Sequence, residues 1–565
     1  MARIDGIPEV PDSPRVDSSL HAALIAFVSI LTLFILYFLR EYDDNSLVSW
    51  RWIFLQVDAQ SLFITLALGA IAAYMISTLD MPGPGSLFFI SMLLGASFIN
   101  LPEVIIDSSR YFTQAKHLGQ FGPDYFFREW GGEIEAWTDL PVMPLVYGLG
   151  FRFFGEHRAV VQAIVLLMFS GAVTLTCMLG RDLFGDRAGR LSGMFMLSMP
   201  YLYTQVPLMM VDIPSMFFLV LSVYALRMGV LKGGLWSFLW APLFISIAFF
   251  TKYSLWPMLS VMIPVLAILY GQEKKTIKRS ILILLVCLLF ILPVLWYYRE
   301  LIASQIDILV SYQKPGLSRW GESLFSTFFF HVHPFVTVAA LASLPIAIRR
   351  RERWMLPLVW LMLLVLLVLG VRRIRYTIPV LPFFSLMAAY SVNMLGRPRV
   401  VRSFAYCALV ASFVMALAAY SPFLQTNSLV NLQKAGQYLD SEGIENVSVR
   451  AMPQRSVINP EVTVPMLDLY TQARIIYEHR MVPTMSSEKI EKSSFRFTWT
   501  YRNPEYYKPE KTDVRTVTQV VVTPETDRVE AHIEPGMELV ERYDINDGLF
   551  KFRPFVLIYQ YFIDK

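Results

Sequence analysis

Long apolar runs follow one another down most of this chain and stop abruptly at residue 422. A membrane-crossing helix needs roughly 20 mostly apolar residues. Runs of that kind lie near 20–39, 61–79, 85–102, 159–180, 191–208, 212–230, 235–252, 255–271, 280–298, 324–348, 354–371, 376–395 and 403–422. They predict about thirteen spans. Around Asp212 and Lys252, two short runs are separated by one charged residue, a pattern that also suits re-entrant segments. After residue 422 charges return, and NVSVRAM (446–452), RFTWTY (496–501) and TQVVVT (518–523) predict strands among helical patterns.

Composition agrees with this pattern. Of 565 residues, 55% are hydrophobic and only 17% charged, where a soluble chain carries nearer a quarter charged. Lipid must therefore cover much of the surface. The expected fold is a polytopic α-helical membrane bundle of about 13 spans with a small C-terminal α/β domain. Its expected parts are an N-terminal tail with three spans (1–102), a first loop with interfacial helices (103–158), a transmembrane core (159–422) and the α/β domain (423–565). Residues 1–19 are polar, and the run Leu20–Leu39 lacks a small-residue cleavage site, which predicts a retained anchor. Cys177, Cys287 and Cys407 all fall inside apolar runs and read as buried hydrophobes. A formal charge of +4 gives no argument for nucleic acid.

The position of the basic residues says more than their number. Arg181, Arg187 and Arg190, then QEKKTIKR (272–279), RRRER (349–353) and GRPRVVR (396–402), are separated by even numbers of spans and share one side. The positive-inside rule makes that side the cytoplasm. Residues 103–158, 299–323 and 423–565 are then extracytoplasmic. The RRIR cluster (372–375) breaks the rule by falling on the outer face, which points to an anionic ligand there.

Four features on that outer face carry candidate chemistry. Asp107, Arg110 and Tyr111 stand at i, i+3 and i+4, on one face of a predicted helix. A carboxylate beside a cation at the membrane boundary stays ionised and able to take a proton, although a helix N-terminus explains an aspartate equally well. Asp212 lies at membrane depth, where an ionisable group is costly and marks function more often than a cap. Lys252 suits either a phosphate or simple snorkelling to the interface. Arg372, Arg373 and Arg375, ahead of Tyr376, offer the forked donors that suit a phosphate. His331 and His333, two residues apart, point to different helix faces and make a poor metal site. The sequon Asn446-Val447-Ser448 falls on the same outer side, and no P-loop, dinucleotide glycine fingerprint or HExxH occurs.

Read together, these stretches resemble the GT-C superfamily of polyprenyl-phosphate-sugar-dependent glycosyltransferases, in the branch of protein O-mannosyltransferases and the aminoarabinose lipid A transferase. The stretches are IIDSSRYFTQAKHL (105–118), LPVMPLVYGLGFRFFGEHRAVV (140–161), the segment 190–226, FFTKYSLWP (249–257) and RRIRYTIPVLPFFSLMAA (372–389). The resemblance implies an inverting transfer of a sugar from a polyprenyl phosphate to a lipid, glycan or protein acceptor on the non-cytoplasmic face. It implies that Asp107 is the first-loop acid that positions or deprotonates the acceptor, and that Asp212 is a second acid near the site. It further implies that Lys252, Arg372, Arg373, Arg375 and Tyr376 hold the lipid-linked phosphate, and that Arg110 and Tyr111 help to position the acceptor. A prokaryotic inner or plasma membrane is the location it suggests.

Three departures from the family pattern limit what carries over. Ser108 follows Asp107 where many relatives have an Asp-Glu pair, which puts a divalent-metal role in doubt. Thr138-Asp139-Leu140-Pro141 stands where lipid A-type relatives carry Lys-Pro-Pro, so acceptor identity does not transfer. Three spans precede the first-loop acid, where the family usually has one. A secondary transporter or lipid flippase is the competing reading, since buried charges also mark transport pathways. A non-catalytic scaffold with the same fold is a third.

Overall fold

The computed structural model describes residues 15–270, 274–314, 321–369, 373–477, 483–500, 517–525 and 533–561. Among the described residues, each apolar run of the sequence is largely helical. Among the described residues, six helices are long and apolar enough to cross a bilayer unaided: Ser19–Phe38, Ala59–Ile76, Arg158–Phe184, Asp212–Lys232, Lys275–Tyr297 and Pro398–Leu424. Shorter apolar helices such as Pro84–Ala96, Leu235–Phe249 and Met355–Leu367 pack among them. On Lys275–Tyr297 the side chains of Leu289 and Trp296 are 67% and 73% exposed, as an integral membrane protein requires of a face turned to lipid.

Fifteen helices and five strands are named below. They are α1 (Arg15–Phe38), α2 (Ala59–Ile76), α3 (Pro84–Ala96), α4 (Ser108–Phe121), α5 (Val142–Phe154), α6 (Arg158–Phe184), α7 (Asp186–Met196), α8 (Asp212–Lys232), α9 (Leu235–Phe249), α10 (Lys274–Tyr297), α11 (Pro334–Arg350), α12 (Leu381–Asn393), α13 (Pro398–Met415), α14 (Val430–Ser441) and α15 (Thr463–Asp468). Pro84, Pro334 and Pro398 sit in first turns, where a missing N–H costs nothing. Gly122, at φ 87°, ends α4, a backbone conformation that favours glycine. Helix α5 lies close on α4 because Gly148 carries no side chain: a Cβ there would meet Ala115 O at 2.7 Å. The run 191–208 is one predicted span but a broken element, with α7 stopping at Met196 and a short helix starting at Pro200.

The stretch that follows, 206–211, is irregular and buried, and the protein satisfies its backbone. Glu103, fully buried, accepts the Met209 N–H at 3.1 Å and pairs with Arg158 at 3.2 Å. Arg158 and Gln162 both donate to Pro207 O, and Tyr147 donates to Met210 O. Non-helical backbone at this depth survives only where protein partners replace water. These contacts fix the start of α8, and with it Asp212.

Beyond residue 429 the chain forms α14, α15 and a five-stranded mixed sheet in the order β2-β1-β3-β5-β4. The strands are β1 (Asn446–Ala451), β2 (Arg474–Ile476), β3 (Thr518–Thr523), β4 (Met537–Tyr543) and β5 (Phe555–Tyr561). Parallel pairing joins β1 to β2 and β3, and antiparallel pairing joins β5 to β3 and β4. The predicted strands at 446–452 and 518–523 are met by β1 and β3. RFTWTY is not a strand, for Phe497–Thr500 is a helical turn and Tyr501 lies outside the described residues. Thr498 and Thr500 bond back to the carbonyls of Phe495 and Phe497, and Asn459 holds Thr498, so local and tertiary contacts override the strand propensity.

The C-terminal segment docks on the first loop through charges removed from water. Lys116 of α4 binds Asp468 of α15 at 2.6 Å and Glu156 at 2.8 Å. Burial and the nearby Asp468 carboxylate push Glu156 up to about 7, with Lys116 offsetting part of the rise. The docked state therefore binds a proton more tightly than an exposed glutamate would, and its contribution is complete below the ordinary value of 4.5 and lost as pH rises through about 7. Amide exchange over 463–476 should accelerate across that window in the wild type, and Glu156→Gln should flatten the dependence.

Candidate functional site

A cavity of about 970 Å³ opens where the helix ends, the first loop and the C-terminal segment meet. Its floor carries Lys252, Arg373, Arg375 and Tyr376 among apolar side chains such as Val211, Met258 and Val365. Asp107, Arg110, Tyr111 and Asp139 form one wall. Trp137, Tyr312, Phe495 and Phe497 make an aromatic upper part, with Arg455, Lys492 and Lys551 around it.

Arg375 ties the floor to the wall. Its Nη1 donates to Asp107 Oδ2 at 2.9 Å, and its Nε donates to Asp212 Oδ2 at 2.7 Å. Lys252 Nζ reaches the other Asp212 oxygen at 2.6 Å and lies 5.0 Å from the Tyr376 ring centre. The result is a continuous chain of alternating charge: Lys252, Asp212, Arg375, Asp107. Asp212 has no exposed side-chain surface and is not on the cavity wall. It begins α8 yet stands behind the two cations, holding them, and does not face the space a substrate would fill. Asp107 is 21% exposed and open to the cavity.

Asp107 stands at a helix N-terminus, as the structural alternative expects, yet its carboxylate is engaged by Arg375. Asp107 does precede α4, but its carboxylate makes no capping bond. Burial acts to raise its pKa, and the Arg375 and Arg110 guanidinium groups outweigh that and hold it below the usual carboxylate range. Arg110 does share a face with Asp107, but its direct ion pair is with Asp139 at 3.2 Å. Burial pushes Asp139 the other way, upward, reinforced by the Asp107 charge and only partly offset by Arg110. Two carboxylates on one wall are thus driven apart in proton affinity, the arrangement that separates acid from base roles.

Sequence reasoning named seven residues that the fold collects on this cavity: Asp107, Arg110, Tyr111, Lys252, Arg373, Arg375 and Tyr376. Arg372 lies outside the described residues. It passed over Asp139 as a site residue, although Thr138-Asp139-Leu140-Pro141 already departed from the family pattern beside Trp137. Trp137 takes φ 46°, a left-handed conformation rare for a bulky side chain. Glu322 was also missed: it accepts the Ile374 N–H at 3.0 Å and stands 3.9 Å from Arg373. His331 and His333 go to separate partners, Asp43 and Tyr420 for the first and Ser29 for the second. Among the described residues, no group of three or more His, Cys, Asp or Glu is arranged to hold a metal ion.

A helical membrane bundle with charges gathered on one cavity defines a class, and comparison with known proteins shows what this chain is similar to. Residues 139–297 match the family described as dolichyl-phosphate-mannose-protein mannosyltransferase. The fold is similar to ArnT from Cupriavidus metallidurans bound to undecaprenyl phosphate, at 14% identity and a TM-score of 0.52, covering 84% of this chain and 97% of that one. Against the apo state of the same protein the coverage is equal and the TM-score 0.50. The Archaeoglobus fulgidus oligosaccharyltransferase complexed with zinc and sulfate is 13% identical, with a TM-score of 0.45 over 77% of this chain and 68% of that one. No curated protein matches the chain in sequence. The resemblance to GT-C superfamily glycosyltransferases is thereby borne out, in fold across most of the chain and in sequence over 139–297.

The charge chain sets an order of stabilities. Asp212→Asn strips two buried cations of a shared carboxylate and should cost about 3–5 kcal/mol. Asp107→Asn removes one partly exposed partner of Arg375, which keeps Asp212, and should cost about 1–2 kcal/mol. Thermal unfolding of the two variants in one detergent measures the order.

Proposed function

We propose that this protein is a membrane glycosyltransferase that moves a sugar from a polyprenyl-phosphate donor to an acceptor at the non-cytoplasmic face, by inverting displacement. The observation that carries the reading is the Lys252–Asp212–Arg375–Asp107 chain, which sets two cations and an open carboxylate on one cavity. In the proposed topology about thirteen helices cross a prokaryotic inner membrane, with residues 103–158 and 423–565 outside. Undecaprenyl phosphate bound by ArnT, a protein of the same fold, supports a polyprenyl phosphate as the donor's carrier.

The chemistry follows from which atoms are free. Asp107 Oδ2 is taken by Arg375, so Oδ1 is the oxygen that accepts the proton of the acceptor hydroxyl. The hydroxyl oxygen attacks the anomeric carbon, the carbon–oxygen bond to phosphate breaks, and the pair of electrons leaves on the polyprenyl phosphate. Lys252 keeps N–H donors beyond the one given to Asp212, and Arg375 Nη2 faces only the Met210 sulfur at 3.9 Å among the described residues. These donors, with Arg373, would stabilise the charge that grows on the leaving phosphate. Asp212 is a positioning residue that keeps Lys252 and Arg375 aimed. The aromatic upper part of the cavity suits the acceptor, since flat rings pack against sugar faces while the first loop and C-terminal segment enclose them.

A transporter reading needs the same buried charges but no base. Membranes containing the protein, supplied with radiolabelled polyprenyl-phosphate sugar, separate the two. Asp107→Asn should lower incorporation of label by about 10²–10⁴-fold while protein level and undecaprenyl phosphate binding persist. Incorporation at the wild-type rate would remove Asp107 from catalysis and return the transporter to first place.

A further inference from the structure

Arg110 holds donors that the scheme above leaves unused. Its side chain is 7% exposed, and its ion pair joins Nη2 to Asp139 Oδ1 at 3.2 Å. Nε and Nη1 are buried with no hydrogen-bond partner among the described residues. A buried donor left without an acceptor is costly, so these two nitrogens mark a place where a ligand can complete the hydrogen bonding. Arg110 lies on the cavity wall, covered by Phe497, whose ring centre is 4.5 Å from Cζ. Phe497 belongs to a single helical turn, Phe497–Thr500, of the C-terminal segment. Two further cations reach the same cavity from that segment. Arg455 follows β1 and Lys551 precedes β5; both are exposed, and neither has an ion-pair partner among the described residues. Gln454 accepts the Arg553 N–H at 3.4 Å, which joins the two stretches that carry them. Lys492 is also there but is already paired with Glu488.

We propose that the acceptor is an anionic glycan, its charge a carboxylate or a phosphate, and that Arg110 with Arg455 and Lys551 binds that charge. The proposal rests on the glycosyltransferase reading above and names its acceptor. These three cations are separate from Lys252 and Arg375, which that reading gives to the donor phosphate. Turning the Phe497 ring aside uncovers Nε and Nη1, and an oxyanion supplies both with acceptors. Arg110 shares a face with Asp107, so an anion held at Arg110 brings a neighbouring hydroxyl toward the Asp107 carboxylate. Without cations there, Asp107 and Asp139 would repel an acceptor that carries negative charge. Trp137 and Phe497, with ring centres 6.2 Å apart and planes at 47°, offer flat faces to sugar rings, which favours a glycan over an acidic peptide.

The test begins with the charge of the product. Membranes containing the protein are supplied with radiolabelled polyprenyl-phosphate sugar, and the product is freed of unreacted donor by mild acid and treated with protease. Label is expected in a protease-resistant fraction that an anion exchanger retains. Dephosphorylation should abolish retention if the charge is phosphate, and carboxyl reduction if it is carboxylate. The matching unlabelled fraction, from membranes lacking the protein, then serves as acceptor for the full chain in detergent. Arg455→Gln combined with Lys551→Gln should raise the acceptor KM about tenfold while undecaprenyl phosphate binding persists. Both positions are exposed, so this variant keeps its fold. Arg110→Gln should raise KM by about 30-fold, and Arg110→Lys should recover part of the loss. A neutral labelled product, label released on peptide by protease, or an unchanged acceptor KM in the double variant would overturn the proposal and leave the glycosyltransferase reading standing. Wild-type membranes that incorporate no label would overturn both.

Discussion

A guanidinium group almost sealed from water must be paired from every side, and Arg375 shows what that requires of a fold. Only 8% of its side chain is exposed, and its two carboxylate partners come from positions 107 and 212, far apart in the chain. Losing both would leave a charge in a medium that solvates it poorly. The first loop, the start of α8 and the segment after Arg373 therefore have one relative placement that satisfies all three groups. Lys252 joins the same set through Asp212, which brings in the end of α9. Much of the surrounding polar structure serves this constraint, from Glu103 holding the irregular stretch before Asp212 to Glu322 pinning Ile374.

The pairing also settles what the site can offer. Lys252 and Arg375 are compensated by aspartates at rest, yet each retains donor capacity toward the cavity. A site of this kind is electrostatically organised before any ligand arrives, so little reorganisation is needed when negative charge develops there. Asp107 is held below the usual carboxylate range by the same arginine that anchors it, with no hydrogen bond to its Oδ1 among the described residues, while burial raises Asp139 across Arg110.

What could be read from the sequence was what stood out against its surroundings. Asp107, Asp212, Lys252 and the arginines were visible because each interrupts or closes an apolar run, where a charge needs a reason. The apolar runs themselves mapped onto helices for the same cause. Asp139 and Glu322 were hidden because they lie in polar loops, where acids are ordinary. Their importance comes from contacts to Arg110, Ile374 and Ser46 that no local pattern encodes. Asp212 was legible as a site residue but not as one standing behind the cations, since depth from the cavity is a tertiary property. RFTWTY failed for a related reason, its propensity being overruled by packing and by threonine side-chain bonds.

The central claim is that the cations on this cavity receive a lipid-borne phosphate within reach of Asp107. An experimental structure of the full chain with undecaprenyl phosphate bound tests it most directly. The phosphate is expected between Lys252 and the Arg373–Arg375 segment, with the Asp107 carboxylate close enough to share one sugar ring with it. Phosphate held anywhere else, with Lys252 and Arg375 still closed on Asp212 alone, would contradict the account.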